Sequence, residues 1–538
     1  MNCKNYFYYA IIFIFIITNI FIAPEIAQAK SKDKNAREKI LYIPHDNRPV
    51  VNQQTVEVLE RAGYQIVMPP PELLGNRDDL GHPDKLWDWL ERNTDKDIKA
   101  AVLSSDSLIY GSLVGSRKHY YGKQLVLERT KLFEEFRKEH KDLPIYVFGS
   151  VMRTPRTGEA SGYEEPDYYR NYGTNIFRYT SLVDKRELEG LNEREKKEIA
   201  FLKKLIPERA MTDWMDRRAK NFESNEMLID MARKNTFSCL LLGRDDNAPF
   251  SQTHLEGRNL HKYGKNIDQR RYQTIAGIDE VGLMVLARAV NDLTKTSPTI
   301  YVTYNMGEGP NIIPSYSDEN VDKTINSEIV ATGSRRVTDP SRADFIFAVN
   351  TNPNGITYEA AGALNDSRER DGTGYFVNMV KNYVDSGRPV VVADIAFANG
   401  SDNALMRNLK EKDLLFKLHA YAAWNTPTNA LGFAMGTGIL AKKMKLSDKR
   451  QLLLTRYIDD WGYQANVRGI VNTQLRQMNG GVFNALNEKR YYATEQCKTL
   501  IQNFADKNLS NVNFDGGFTV NFPWNRMFES DITFKIKN

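Results

Sequence analysis

"ILYIPHDNRPV", residues 40–50, is an apolar run that ends abruptly in a histidine, an aspartate, an asparagine and an arginine. Runs of the same kind recur to about residue 440: "YQIVMP", "KAAVLSS", "PIYVFGSVM", "FSCLLLG", "QTIAGI", "TIYVTYN", "DFIFAVN", "PVVVADIAF" and "KLHAYAAW". Most are continuous and not alternating, which is the pattern of strands covered on both faces in a parallel sheet. Amphipathic stretches such as "NQQTVEVLERAG" and "VGLMVLARAVNDLTKT" lie between them and read as helices. The expected class is α/β, assembled from parallel β/α units.

Polar punctuation follows nearly every strand: "HDNRP" at 45, "SSDS" at 104, "MRTPRTG" at 152, "GRDDNAP" at 243, "GIDE" at 277, "YNMGEG" at 304, "ADIAFANG" at 393 and "WNTPTNALG" at 424. Carboxyl ends of parallel strands share one edge, and ligand sites form there. Polar ends on so many strands favour a (β/α) barrel-like fold, whose mouth collects loops from every strand. Two facing Rossmann-like lobes are the alternative, suggested by the break at "TKTSP", residues 294–298.

The ends of the chain read differently from its middle. Residues 1–29 carry Lys4, a long apolar stretch and the small-residue pattern "AQA" at 27–29, which reads as a secretory signal peptide cleaved near Ala29, the rival reading being an uncleaved membrane anchor. Export, periplasmic or extracellular, is the expected localisation, with no membrane span after cleavage. An N-terminal β/α half then covers 38–296, with a charged helical insertion at 187–234, and a C-terminal half covers 297–445. Residues 446–538 form an α+β extension of helices and a strand-like tail. Cys239 and Cys497 are far apart in sequence and do not call for a disulfide framework. The formal charge of +5 on 538 residues is too small and too dispersed for dedicated nucleic-acid binding.

"YIPHDNRPV", "PPPELLG", "SSDSLIYGSLVGSR", "LLLGRDDNAPFSQ", "GIDEVGLMVLAR", "AWNTPTNALG" and the late "PWNRMFE" together resemble the bacterial family known as domain of unknown function 4127, in the same order and over nearly the whole chain after residue 29. The resemblance implies exported or cytoplasmic α/β proteins. It carries no reaction to these positions, so the chemistry is argued from side chains.

Asp245 and Asp246 follow an apolar strand, where barrel enzymes mount acids and bases. Glycoside hydrolysis commonly uses two carboxyl groups flanking one bond. Neighbours on an extended strand face opposite ways. Either the strand ends by Gly243 and both carboxylates face the cleft, or one is structural, capping a helix or pairing with Arg244. Glu280 is the reserve catalytic carboxyl, and Asp279 beside it suits a helix first turn.

His45, Asp46 and Arg48 are placed to hold hydroxyls or an anionic substituent, against the plainer reading of a local turn. Asp106, Arg153, Asn247, Asn305 and Asp394 occupy equivalent strand ends. Trp424 with Asn425 and Asn429 offers a ring face and amides, as a sugar site needs, or a buried tryptophan with turn-forming asparagines.

No Cys/His metal spacing, phosphate loop or nucleophile elbow occurs, and no cofactor is expected. The leading expectation is a glycoside hydrolase-like enzyme acting on cell-envelope or environmental saccharide. Its alternatives are a non-catalytic saccharide-binding protein, or a metal-assisted ester or phosphate hydrolase using Asp46, Asp106 and Asp246.

Overall fold

The computed structural model describes residues 37–158, 163–478 and 484–537, so the signal-peptide reading of residues 1–29 lies outside the described residues. Two open, parallel sheets replace the barrel. The first has six strands in the order β2-β1-β3-β4-β5-β6: β1 (Lys39–Ile43), β2 (Gln65–Val67), β3 (Ile98–Ser104), β4 (Ile145–Val151), β5 (Cys239–Arg244) and β6 (Tyr272–Ala276). The second has five in the order β13-β11-β9-β7-β8: β7 (Thr299–Tyr304), β8 (Arg335–Arg336), β9 (Phe345–Asn350), β11 (Val390–Asp394) and β13 (Ala420–Ala422). The barrel preference is therefore corrected in favour of the two-lobe alternative. In each sheet the second strand turns outward beside the first, and the later strands add on the other side. The sheet keeps two free edges instead of closing, with a topological switch point between its first and third strands.

The alternate sides of each strand feed different cores. Tyr42, Val102, Phe148 and Leu241 point inward with Val302, Phe347, Val391 and Ala422 of the second sheet, while Leu41, Leu103, Val147 and Leu240 point to helices on the outer face. Two helices fill the space between the sheets, α1 (Val281–Leu293) and α2 (Pro427–Ala441). Nearly every residue of both is buried, as expected of a helix that is apolar all round. Their close approach depends on missing side chains: a Cβ at Gly436 would lie 2.8 Å from Leu283 Cγ. The result is a layered α/β/α/β/α body with one continuous core between the sheets.

The charged stretch between β4 and β5 forms helices Tyr169–Leu188, Glu193–Leu205 and Glu208–Arg233. After α2 come helix Leu446–Arg456, a π-helical stretch Tyr457–Val467 and helix Arg468–Gln477. Helix Arg490–Asn508 and an antiparallel hairpin, β14 (Phe514–Asn521) with β15 (Asp531–Ile536), complete the extension. A two-residue ladder, β10 (Tyr358–Glu359) with β12 (Phe397–Ala398), sits apart from the main sheets. Cys239 and Cys497 are both buried free thiols. Among the described residues no helix is long and apolar enough to cross a membrane.

Because both sheets lean on α1, they should unfold together. Leu286→Ala, at a fully buried α1 position, is expected to lower stability by about 2–5 kcal/mol. Far- and near-ultraviolet circular dichroism should report one coincident denaturant transition; two separate transitions would show that the sheets are independent.

Candidate functional site

Register brings the site together. Val151 pairs with Arg244, and Arg244 with Ala276, so the loops after β4, β5 and β6 emerge side by side. Ile43 pairs with Leu103, which sets the ends of β1 and β3 next to them. The loop after β1 is tied down by Ser107, whose hydroxyl donates to Pro44 O at 2.6 Å, and by Leu113 N–H, which donates to His45 O at 2.8 Å.

Arg48 is the hub of this edge. Its Nε donates to Asp46 at 3.0 and 3.1 Å, and its Nη1 donates to Asp279 Oδ2 at 3.1 Å. His45 Nε2 lies 3.2 Å from Asp279 Oδ1, and Asn425 Nδ2 donates to Asp279 Oδ2 at 3.0 Å, bringing in the second sheet. Burial alone would raise the Asp279 carboxyl, but Arg48 and His45 outweigh it and hold the group well below the usual carboxylate range. Asp279 thus spends its oxygens on the site, and no side chain caps α1.

Asp245 and Asp246 resolve their geometric problem by a change of backbone direction. The strand ends at Arg244, and Asp246 adopts φ +32°. The Asp245 carboxylate accepts from Arg117 Nη2, while Asp246 accepts from Arg153 Nη1 at 2.9 Å. Glu164 joins those two arginines, accepting from Arg117 Nη1 and lying 3.2 Å from Arg153 Nη2. Arg153 also donates to Glu165 at 2.8 Å. The neighbours therefore converge on one bridge. Burial pushes the Asp245 carboxyl up, opposed by Arg117 and reinforced by Asp246. The Asp246 side chain is 30% exposed and Asp245 only 5%.

Asp106 accepts from Ser150 at 2.9 Å, and burial raises it to about 7. Glu280 sits in a slot made by two glycines: a Cβ at Gly277, where φ is +88°, would lie 2.0 Å from Glu280 Oε1, and one at Gly432 would lie 2.2 Å from its Cγ. Burial raises Glu280 to about 8, and Asn429 donates to it.

The C-terminal hairpin loop closes the edge. Trp524 stacks under Arg48 at 5.1 Å and Arg526 at 4.8 Å, and its Nε1 donates to Asn47 Oδ1 at 2.7 Å. Arg526 pairs with Glu164 and, at 2.8 Å, with Glu529.

The expected residues divide accordingly. His45, Asp46, Arg48, Asp106, Arg153, Asp245, Asp246, Asp279, Glu280 and Asn425 share this edge, with Asn429 behind Glu280. Arg244 and Asn247 turn instead to Asp318, at 2.7 and 2.6 Å. Arg244 also lines a cleft of about 690 Å³ with His254, Arg258 and Lys323. Asn305 and Asp394 belong to the edge of the second sheet, linked through Asn350 at 3.0 and 2.9 Å. Trp424 is 2% exposed and packs edge-on to Phe433 and Phe528, so its ring presents no open face.

Arg117, Glu164, Glu165, Trp524, Arg526 and Glu529 were not singled out from sequence. "GSLVGSR" contains Arg117 and "PWNRMFE" contains the last three, so the motifs pointed at them without assigning a role. Asp46, Asp106 and Asp246 are committed to Arg48, Ser150 and Arg153 and do not converge as a ligand set. Among the described residues, the group whose ligand atoms lie within 4.8 Å of one another is Glu91, Glu139 and His140, away from this edge.

The family model described as Protein of unknown function (DUF4127) matches residues 40–533, and the chain belongs to that family. No curated protein and no solved structure matches it.

Glu280 supplies a test of the electrostatics. Its folded-state pKa of about 8 lies above the ordinary 4.5, so the folded protein retains a proton that the unfolded chain releases, and stability falls as pH rises through that window. Glu280→Gln removes the dependence. Its stability relative to the parent should rise by roughly 1.4 kcal/mol per pH unit across the window and level off above it. A difference that does not change with pH in denaturant titrations would refute this.

Proposed function

We propose that this member of the DUF4127 family is a glycosidase-type hydrolase, exported and acting on cell-envelope or environmental saccharide. The observation that carries the reading is the convergence of Asp245 and Asp246 on the Arg117–Glu164–Arg153 bridge. Hydrolysis of a glycosidic bond needs a proton for the leaving oxygen and negative charge near the developing oxocarbenium ion. The Asp245/Asp246 pair provides the first, since burial, reinforced by the neighbouring Asp246, pushes the Asp245 carboxyl up to about 6 and favours a proton there. Asp246 delivers it, being the more exposed of the two. Proton transfer to the leaving oxygen breaks the glycosidic bond; Asp245, then ionised, faces the oxocarbenium ion, and Asp279, held ionised by Arg48 and His45, adds to the negative field. A water molecule attacks the anomeric carbon and gives its proton back to the pair, which completes the hydrolysis.

Positioning falls to Arg48, Arg153 and Asn425. The aromatic of this edge is Trp524 in place of Trp424. Asp46, Asp245 and Asp279 are all buried, so substrate entry requires part of this edge to move; the hairpin loop that brings Trp524 to Arg48 and Arg526 to Glu164 is the segment proposed to do so. The binding-protein alternative, closure of two lobes on a ligand, has less support, since the lobes share one apolar core and a hinge between them would have to break it. Export rests on residues 1–29 alone.

The test is turnover of aryl glycosides, N-acetylated ones included, by the purified chain. Asp245→Asn and Asp246→Asn should each lower kcat by about 10²–10⁴ with the melting temperature held within a few degrees. A double variant that retains parental turnover would exclude the pair from catalysis.

A further inference from the structure

The cleft of about 690 Å³ lined by Arg244 lies among β6, helix Gln252–Tyr263 and helix Val321–Ala331, and the proposed hydrolysis makes no use of it. Its volume falls in the range of roughly 300–1,000 Å³ usual for a small-molecule site.

The ionic groups of this cleft are spent on one another. Arg244, Arg258 and Lys323 stand against Asp318, Glu319 and Asp322, so the formal charges of the lining cancel when His254 and His261 are neutral. Arg244 pairs with Asp318 at 2.7 Å and with Glu319 at 3.2 Å, and Lys323 pairs with Glu319 at 2.9 Å. Arg258 pairs at 2.6 Å with the buried Asp184, which also holds His254 Nδ1 at 2.6 Å. Asp322 faces Arg336 and Tyr304. A phosphate or polycarboxylate therefore meets no unpaired cation here, and a polyamine meets no unpaired carboxylate. Burying either would leave its charge uncompensated.

The neutral groups are in the opposite condition. Gln269, Thr274, Asn311 and Ser327 line the cleft, and their side chains make no hydrogen bond to any described residue. Gln273 gives its Nε2 to Ser327 O at 3.3 Å and keeps Oε1, while Asn320 accepts the Lys323 N–H at 2.9 Å and keeps Nδ2. Tyr272, also in the lining, is 4% exposed, and its hydroxyl has no partner. Gly264 leaves room for that ring, since a Cβ there would lie 2.1 Å from Tyr272 Cε1. Buried polar atoms are ordinarily paired, so a hydroxyl held in such a slot calls for a partner from the cleft. Amide nitrogens donate, amide oxygens accept and hydroxyls do both.

We propose that this cleft binds a neutral, polyhydroxylated ligand, a stretch of uncharged oligosaccharide, at a site separate from the Asp245/Asp246 pair. Each sugar hydroxyl is donor and acceptor at once, and it replaces water on these amides without bringing a charge to desolvate. The lining offers little aliphatic surface, Pro310 and Val330, for the side chains of a peptide. Arg244 directly precedes the pair, and Asn247, which follows it, donates to Asp318 at 2.6 Å, so a glycan held here is held beside the loop that carries Asp245 and Asp246. The inference stands on the cleft's own groups and does not need the hydrolase reading.

The experiment is calorimetry and thermal shift of the full chain at neutral pH. The probes are cellotetraose, maltotetraose and N-acetylated chitotetraose, beside tetragalacturonate, the glucosamine tetramer, inorganic phosphate and tetraglycine. At least one neutral tetrasaccharide should bind about tenfold or more tightly than any charged probe or tetraglycine, with affinity little changed by salt. Gln269→Ala combined with Asn311→Ala, both at exposed positions, should weaken that binding about tenfold. Tyr272→Phe should weaken it severalfold, and Asp245→Asn combined with Asp246→Asn should leave it within about twofold. No binding of a neutral tetrasaccharide, or equal binding of a charged probe or of tetraglycine, overturns the inference. Binding that survives in the cleft variants and disappears in the aspartate variant assigns the saccharide to the charged edge and overturns it as well. Cleft binding without turnover of any aryl glycoside sinks the hydrolase reading and leaves this one standing, whereas turnover without cleft-dependent binding does the reverse.

Discussion

The double fork of Arg48, gripping Asp46 on one side and Asp279 on the other, is the interaction on which this edge of the molecule depends. The two carboxylates come from loops far apart in sequence, one after β1 and one after β6. A charge buried this deeply is tolerated only when its partners are in place, and removing one partner strands the others. Arg48 therefore fixes the loop after β1 against the start of α1, and through Asp279 it reaches Asn425 on the second sheet. It also presents the cationic face against which Trp524 stacks. The polar residues that end "ILYIPHDNRPV" thus serve as a clasp between parts of the fold, and the apolar strand before them anchors that clasp in the core.

Beneath the clasp the layered body explains why the charges can be held so closely. α1 begins at the charged edge, where Asp279 and Glu280 precede it, and runs into the core shared by both sheets. Gly432 on α2 leaves the space that the Glu280 side chain occupies, and Gly436 lets Leu283 approach one turn further along. Packing between the sheets and electrostatics at their edge are consequently set by the same pair of helices.

The elements were legible in the sequence to an unequal degree. All ten apolar runs contain strands, and most are buried along their length, which is what a continuous apolar run signals in a sheet covered on both faces. Strand order was not legible: a run such as "YQIVMP" looks the same whether it closes a barrel or sits at an open edge as β2. The two-residue β8 lies in a charged "RR" and carried no apolar signal. Nor did the sequence signal the π-helical geometry of Tyr457–Val467. At the site, the strand-end carboxylates were readable by position. Arg117 was hidden because it sits on a short helix, Leu113–Lys118, and not at a strand end. The two tryptophans exchanged roles for a similar reason. Trp424 follows a strand but falls into the core, whereas Trp524 is brought from the end of the chain by a hairpin that local sequence does not connect to β1.

That hairpin has a consequence for how the protein is made. Residues 522–530 supply Trp524, Arg526 and Glu529, and they are synthesised long after Arg48 and Glu164, which they contact. Chains are made N-terminus first, and their earlier parts begin to fold while later parts are still absent. For most of that interval Glu164 has Arg117 and Arg153 as counterions but lacks Arg526, and Arg48 has no ring beneath it. The edge assembled by β1 to β6 then lacks two of the side chains that pack on its arginines and carboxylates. Synthesis of this hairpin supplies the missing partners, so the charge cluster cannot be finished until residues 522–530 have been made.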